Sequence, residues 1–237
     1  MPATYPEKER YTVDDLVRIV AILRSPEGCP WDKVQTHESI RSNLLEEAYE
    51  AIEAINQQDT VHLREELGDV LLQVVFHAQM ESEEGRFVFD DVADQICRKM
   101  LTRHPHVFGE LTADDPSQAL KTWDAVKRQT AGDKKQSHLL DSVPRALPAL
   151  MRSEKVQNRA ARVGYDYAGK AEALRELDAA RAAVEAAASE DDGGKAMGRL
   201  LLAASAVSRL YKWDAEQALT DETDAFIARF KEWEQTE

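Results

Sequence analysis

The sequence predicts an all-α protein, and three observations carry that prediction. The strong helix formers Ala, Leu, Glu, Arg and Lys dominate the chain. Only 10 Gly and 8 Pro are spread over 237 residues, so helix-breaking punctuation is sparse. No run of alternating β-branched residues marks a strand.

The helix signals can be taken in chain order. TVDDLVRIVAILR at 12–24 opens on Thr12, a residue suited to an N-cap, and closes at SPEGCPWD, a loop with Pro26, Gly28 and Pro30. A helix is expected over 37–56, then a QQD turn, then a helix over 60–83 and an EGR turn at 84–86. Asp90 or Asp91 is expected to cap a further helix to about 103, which Pro105 breaks. After HPHVFGELTADDP, ALKTWDAVKRQ reads as a helix again. The polar, Pro-containing stretch from 132 to 148 is the expected linker between an N-terminal domain (1–131) and a C-terminal one (149–237).

The formal net charge of −14 argues against a DNA or RNA binder, which needs a basic face to release counterions. A small anionic ligand stays compatible with that charge if a divalent metal brings positive charge with it. Cys29 and Cys97 cannot build a disulfide framework, no apolar segment follows Met1, and stretches such as LLLAASAV are too short for a bilayer. The expectation is a cytoplasmic protein with no membrane partner.

The two halves resemble each other. LREELGDVLLQVVFHAQM at 63–80 matches GKAMGRLLLAASAVSRLY at 194–211 through an L/M-G-x-L/V-L-L core, and EEAYEAIEAI at 46–55 matches RELDAARAAV at 175–184. Two related helical units are expected.

Function is suggested by the acids. At about 100° per residue, Glu46, Glu47, Glu50 and Glu53 share one face of the helix 37–56, opposite Leu44, Ala48, Ala51, Ile52 and Ile55. Alone, that is an ordinary amphipathic helix. The next helix differs, because His62, Glu66, Asp69 and Gln73 form a polar stripe flanked by apolar residues on both sides, with no Lys or Arg to pair them. Burying such carboxylates unpaired costs several kcal/mol per charge, so a cation must come from elsewhere. If the helices pack antiparallel, Glu47 and Glu50 face Glu66 and Asp69, and four oxygen donors without a ligating Cys suit Mg²⁺ or Mn²⁺.

At this point the chain resembles the MazG family, the tandem-domain nucleoside triphosphate pyrophosphohydrolases of the all-α NTP pyrophosphatase superfamily. The likeness rests on GCPWDKVQT at 28–36, LLEEAYE at 44–50, ELGDVLLQVVFHAQM at 66–80, EEGRF at 83–87, RHPHVF at 103–108 and DSVPRALPALMRSEKVQ at 141–157. It implies two tandem four-helix-bundle-like repeats, a homodimer, and Mg²⁺-dependent cleavage of an NTP or dNTP between the α and β phosphates. Carried across, the metal ligands would be Glu47, Glu50, Glu66 and Asp69, with Glu46 holding or deprotonating the attacking water. Lys99 and Arg103 match phosphate-binding positions, and Lys127 is a further candidate. Trp123 and Trp31 are candidates to stack on or close over the base, or else plain packing residues, while Asp32 and Gln35 either contact the nucleotide or pin the loop. His104 and His106 read as structural, His62 and His77 as polar or interface positions.

The second repeat departs from the pattern. Ala196 and Arg199 stand where Glu66 and Asp69 do in the first, Arg175 and Ala179 replace Glu46 and Glu50, and Glu176 alone survives. Such a set cannot hold a divalent cation, which leaves the chemistry to the N-terminal copy. The competing expectation is a regulatory protein that binds Mg-nucleotide at the same residues without turnover. A di-iron bundle would need E-x-x-H motifs that are missing.

Overall fold

The computed structural model describes residues 5–130 and 140–236, the side chains of Ser117, Asp124 and residues 127–130 excepted. All regular structure among the described residues is helical. The chain divides into two compact units, Met1–Thr130 and Ala131–Glu237.

In the first unit, α1 (Val13–Arg24) opens with a capping box: Asp15 accepts the backbone N–H of Thr12 at 2.9 Å, and the Thr12 hydroxyl accepts from Asp15 N at 3.4 Å. Asp15 is buried, and its carboxylate also receives Lys8 and the Tyr5 hydroxyl, which hold its pKa well below the ordinary range. The chain then folds tightly back on α1. A side chain at Gly28 would sit 2.3 Å from the carbonyl oxygens of Ile22 and Leu23, so only glycine lets it pass. Arg24 ties this loop down: it donates to the carbonyls of Asp32 (2.7 Å) and Gln35 (3.2 Å) and to both carboxylate oxygens of Glu83 (2.8 Å each).

The next helix, α2 (Arg41–Asn56), starts later than the expected residue 37. Thr36 and Ser39 exchange hydroxyl-to-backbone hydrogen bonds (Thr36 N to Ser39 Oγ 2.9 Å, Ser39 N to Thr36 Oγ1 3.2 Å), a local alternative to the helix ladder. α3 (Thr60–Glu83) follows after a short turn, capped by Asp59, whose carboxylate accepts from Val61 N and His62 N at 3.0 Å each. The core joins Val20 of α1 and Ile40 to Val75, Phe76 and Met80 of α3, with Leu16, Val17, Leu71, Leu72 and Phe89 around them. α4 (Phe89–Arg103) begins before the expected aspartates. Asp91 lies in its first turn and reaches back to accept the N–H of Val88 at 2.9 Å. The short α5 (Pro105–Phe108) and α6 (Pro116–Thr130) complete the unit.

α2 contradicts one expectation. Ala51 and Ala54 form its buried apolar surface, while Ile52 and Ile55 are exposed, together with Leu45 and Tyr49. Small residues let α2 lie close against α3, which places its larger apolar residues on the outer side.

The second unit contains α7 (Ala149–Ala161), α8 (Lys170–Glu185), α9 (Glu190–Tyr211) and α10 (Ala215–Glu234). The α8–α9 pair keeps the register of α2–α3: counted from the first residue of each helix, Glu66 falls at Ala196, Asp69 at Arg199 and Gln73 at Ala203. The burial pattern follows, with Glu66, Gln73, Val75 and Phe76 matched by buried Ala196, Ala203, Ser205 and Ala206.

Candidate active site

The α2–α3 pair builds the site. Asp59 starts α3 in a register that puts His62, Glu66, Asp69 and Gln73 on one face, and the short turn returns Glu47 of α2 onto it. Carboxylate oxygens of Glu47, Glu66 and Asp69 lie within 4.8 Å of one another. Glu66 is only 6% exposed, Glu47 and Asp69 are half-buried, and among the described residues no Lys or Arg pairs with any of them.

The electrostatics reflect that crowding. Burial raises the pKa of Glu47, and the charges of Asp69, Glu50, Glu66 and Glu46 raise it further. Burial also raises that of Glu66, with Glu50 and Asp69 adding to it and His62 opposing. Glu66 Oε1 sits 2.9 Å from His62 Nε2, but Oε2 is buried with no hydrogen-bond partner. Such an orphan acceptor costs about 1–3 kcal/mol, and a cation between the three carboxylates would satisfy it. The donor set, all carboxylate oxygen, fits a hard divalent ion such as Mg²⁺ or Mn²⁺.

Glu50 is not one of the three converging groups, although its charge acts on both Glu47 and Glu66. Glu46 is exposed beside Glu47. Lys99 lies exposed on α4, which packs on α3. Arg103 is half-buried, with its guanidinium 5.2 Å from the ring centre of Trp123, which packs edge-to-face with His104 at a ring-centre distance of 4.7 Å. Arg103 and Trp123 therefore hold each other. The side chain of Lys127 lies outside the described residues. Trp31 is 59% exposed, and its carbonyl accepts from Gln35 Nε2 at 2.9 Å, so Gln35 pins the loop, as does the Asp32 carbonyl through Arg24.

Two histidines have roles more specific than polar filler. His62 contacts a carboxylate of the cluster, an i, i+4 pairing with Glu66 that the spacing contained. His77 meets His37 through an Nδ1···Nδ1 hydrogen bond of 2.7 Å, their rings nearly parallel with centres 5.0 Å apart, and His37 Nε2 meets Glu81 at 2.7 Å. Burial and the neighbouring His37 lower the pKa of His77, while Arg86, with His37 adding to it, pulls Glu81 down to about 2. His37, His77 and Glu81 help line a cavity of about 370 Å³ with Leu44, Val74, Phe87 and Val92. His104 is structural in its contacts, with Nδ1 2.7 Å from the carbonyl of Met100.

Comparison with known proteins bears directly on this geometry. The model of the MazG nucleotide pyrophosphohydrolase domain matches residues 35–108, a stretch holding Glu46, Glu47, Glu50, Glu66, Asp69, Lys99 and Arg103. The nucleoside triphosphate pyrophosphohydrolase of Escherichia coli K12 is 43% identical over 232 residues, covering 94% of this chain and 87% of the relative. The chain belongs to the MazG family. The nucleoside triphosphate pyrophosphohydrolase/pyrophosphatase MazG of Thermotoga maritima is 40% identical over 222 residues, covering 94% of this chain and 85% of the relative. A Bacillus subtilis relative, the uncharacterized protein YabN, is 43% identical over 222 residues, and the alignment spans 45% of its length. As expected of an all-α MazG protein, the described residues contain helices and no strand, and no helix among them is long and apolar enough to cross a membrane.

Proposed function

We propose that this MazG-family chain hydrolyses nucleoside and deoxynucleoside triphosphates between the α and β phosphates, giving the monophosphate and pyrophosphate, at the first unit and with a divalent cation. The observation that carries the proposal is the cluster of Glu47, Glu66 and Asp69 within 4.8 Å, containing a buried carboxylate oxygen without a partner. Its relatives' activity, as named for the E. coli and Thermotoga proteins, agrees with it.

Glu47, Glu66 and Asp69 would hold the ion, with Glu50, whose charge acts on both Glu47 and Glu66, beside them. Bound there, Mg²⁺ supplies neutralisation of the triphosphate charge. Glu46, exposed next to this cluster, takes the proton from the attacking water as the phosphoanhydride bond breaks and pyrophosphate leaves. Arg103, held by Trp123, and Lys99 on the same helix offer positive charge to the phosphates. Trp31, with more than half its surface free, is available to cover the base. The exposed apolar residues Leu45, Tyr49, Ile52 and Ile55 of α2 form a face that a second copy of the chain would cover, making a homodimer.

The test is incubation of the purified chain with a panel of NTPs and dNTPs, including dUTP and 8-oxo-dGTP, with and without Mg²⁺. Cation-dependent release of pyrophosphate is expected. Nucleotide binding without cleavage across the panel would overturn the catalytic reading in favour of a regulatory binding protein.

A further inference from the structure

Gln73 lies on the face of α3 that carries the carboxylates, one turn beyond Asp69: about 40° round the helix from Asp69 and about 20° from Glu66. It is 9% exposed, and its Oε1 is buried with no hydrogen-bond partner. The stripe thus holds two buried acceptors without donors, Glu66 Oε2 and Gln73 Oε1.

The chain contains its own comparison. In α9 the position of Gln73 is occupied by Ala203, which is buried as Gln73 is, in the same helix where Ala196 and Arg199 stand at the positions of Glu66 and Asp69. A helix pair in this register therefore packs with alanine at that point and does not need a polar group there. The amide is present where the carboxylates are present and missing where they are missing.

We infer that Gln73 is a positioning residue for the cation: its Oε1 accepts a hydrogen bond from the ion's hydration shell and so fixes how the hydrated ion sits between Glu47, Glu66 and Asp69. Mg²⁺ and Mn²⁺ held by few carboxylates keep several waters, and each is a donor of the kind Gln73 Oε1 lacks. Gln73 lies one turn beyond Asp69 on the same helical face, which puts its Oε1 on the side where a water held by an ion between the three carboxylates would sit. Groups that act on a metal through such a hydrogen bond are worth roughly 10–100-fold in metal affinity. The inference rests on the cation reading of the previous section.

The experiment compares Mn²⁺ binding, without nucleotide, to the full-length wild type, Glu47→Gln, Gln73→Met and Gln73→Glu. Free Mn²⁺ is counted by its electron spin resonance signal, and water-proton relaxation reports the hydration of the bound ion. Gln73→Met keeps the length of the side chain and loses the acceptor; it should weaken binding by roughly tenfold or more and change the relaxation enhancement per bound ion. Gln73→Glu retains an acceptor and should bind at least as tightly as wild type. Where the methionine variant fails to melt cooperatively, Gln73→Ala, which copies the second unit, takes its place with the same expectation. Wild-type affinity and relaxation in the variant without an acceptor would overturn the role of Gln73 while leaving the cation site intact. Weakening in Gln73→Glu equal to that in Gln73→Met would also overturn it, as a packing effect. Absence of Mn²⁺ binding in wild type, or binding undiminished in Glu47→Gln, would instead overturn the cation site itself.

Discussion

At Glu47 burial and four neighbouring carboxylates act in one direction, raising its pKa. A carboxyl whose pKa is higher folded than unfolded contributes stability below its unfolded pKa and loses it as pH rises through the folded value. At neutral pH without metal, the charged form of Glu47 therefore destabilises the fold, and a cation bound beside it would offset that. Glu47→Gln should raise the melting temperature of the metal-free protein by about 2–4 °C at neutral pH while abolishing cation-dependent turnover. Differential scanning calorimetry with and without Mg²⁺ checks this: added Mg²⁺ should raise the melting temperature of the wild type and leave that of the variant unchanged. Much of this site was legible one residue at a time. The i, i+3 spacing of Glu66 and Asp69 and the lack of a Lys or Arg on the stripe are sequence facts. The contact of His62 with Glu66 was contained in the spacing as well, but the sequence does not say which of two neighbouring carboxylates an imidazole will choose.

Among the elements, α2 presents acids and small residues inward and large apolar residues outward. Its periodicity marks Ile52 and Ile55 as an apolar face, yet periodicity cannot say whether such a face meets the chain's own core or another surface. Burial of Ala51 and Ala54 in their place answers that for the folded unit. Ile52→Lys keeps the helix and charges that face, so if the proposed homodimer forms there, the variant should be monomeric without loss of helical content. Light scattering and circular dichroism on the same sample check both halves of the expectation. Element ends were less legible than element centres. The start of α2 at Arg41 follows from the Thr36–Ser39 exchange, a local competition that propensity does not resolve.

For the whole molecule, the two units differ in chemistry more than in architecture. The α2–α3 and α8–α9 pairs share register and buried positions, but Ala196, Arg199 and Ala203 occupy the places of Glu66, Asp69 and Gln73. Asp69→Ala should therefore eliminate cation-dependent hydrolysis, whereas Glu176→Ala, an exposed carboxylate in the second unit, should leave kcat and KM near wild type. Steady-state kinetics with the best substrate of the panel check it, and comparable loss in both variants would disprove a single site. The sequence by itself determined that the chain is helical, which helices carry the acids, and which half has lost them, because these follow from periodicity and residue identity along one strand of chain. Only the tertiary structure decided that Glu47 converges with Glu66 and Asp69, that Arg103 is engaged by Trp123, and that Gln73 is buried with an acceptor to spare. Those are distances between helices, set by how closely side chains on facing surfaces allow them to approach, and no spacing along the chain encodes them.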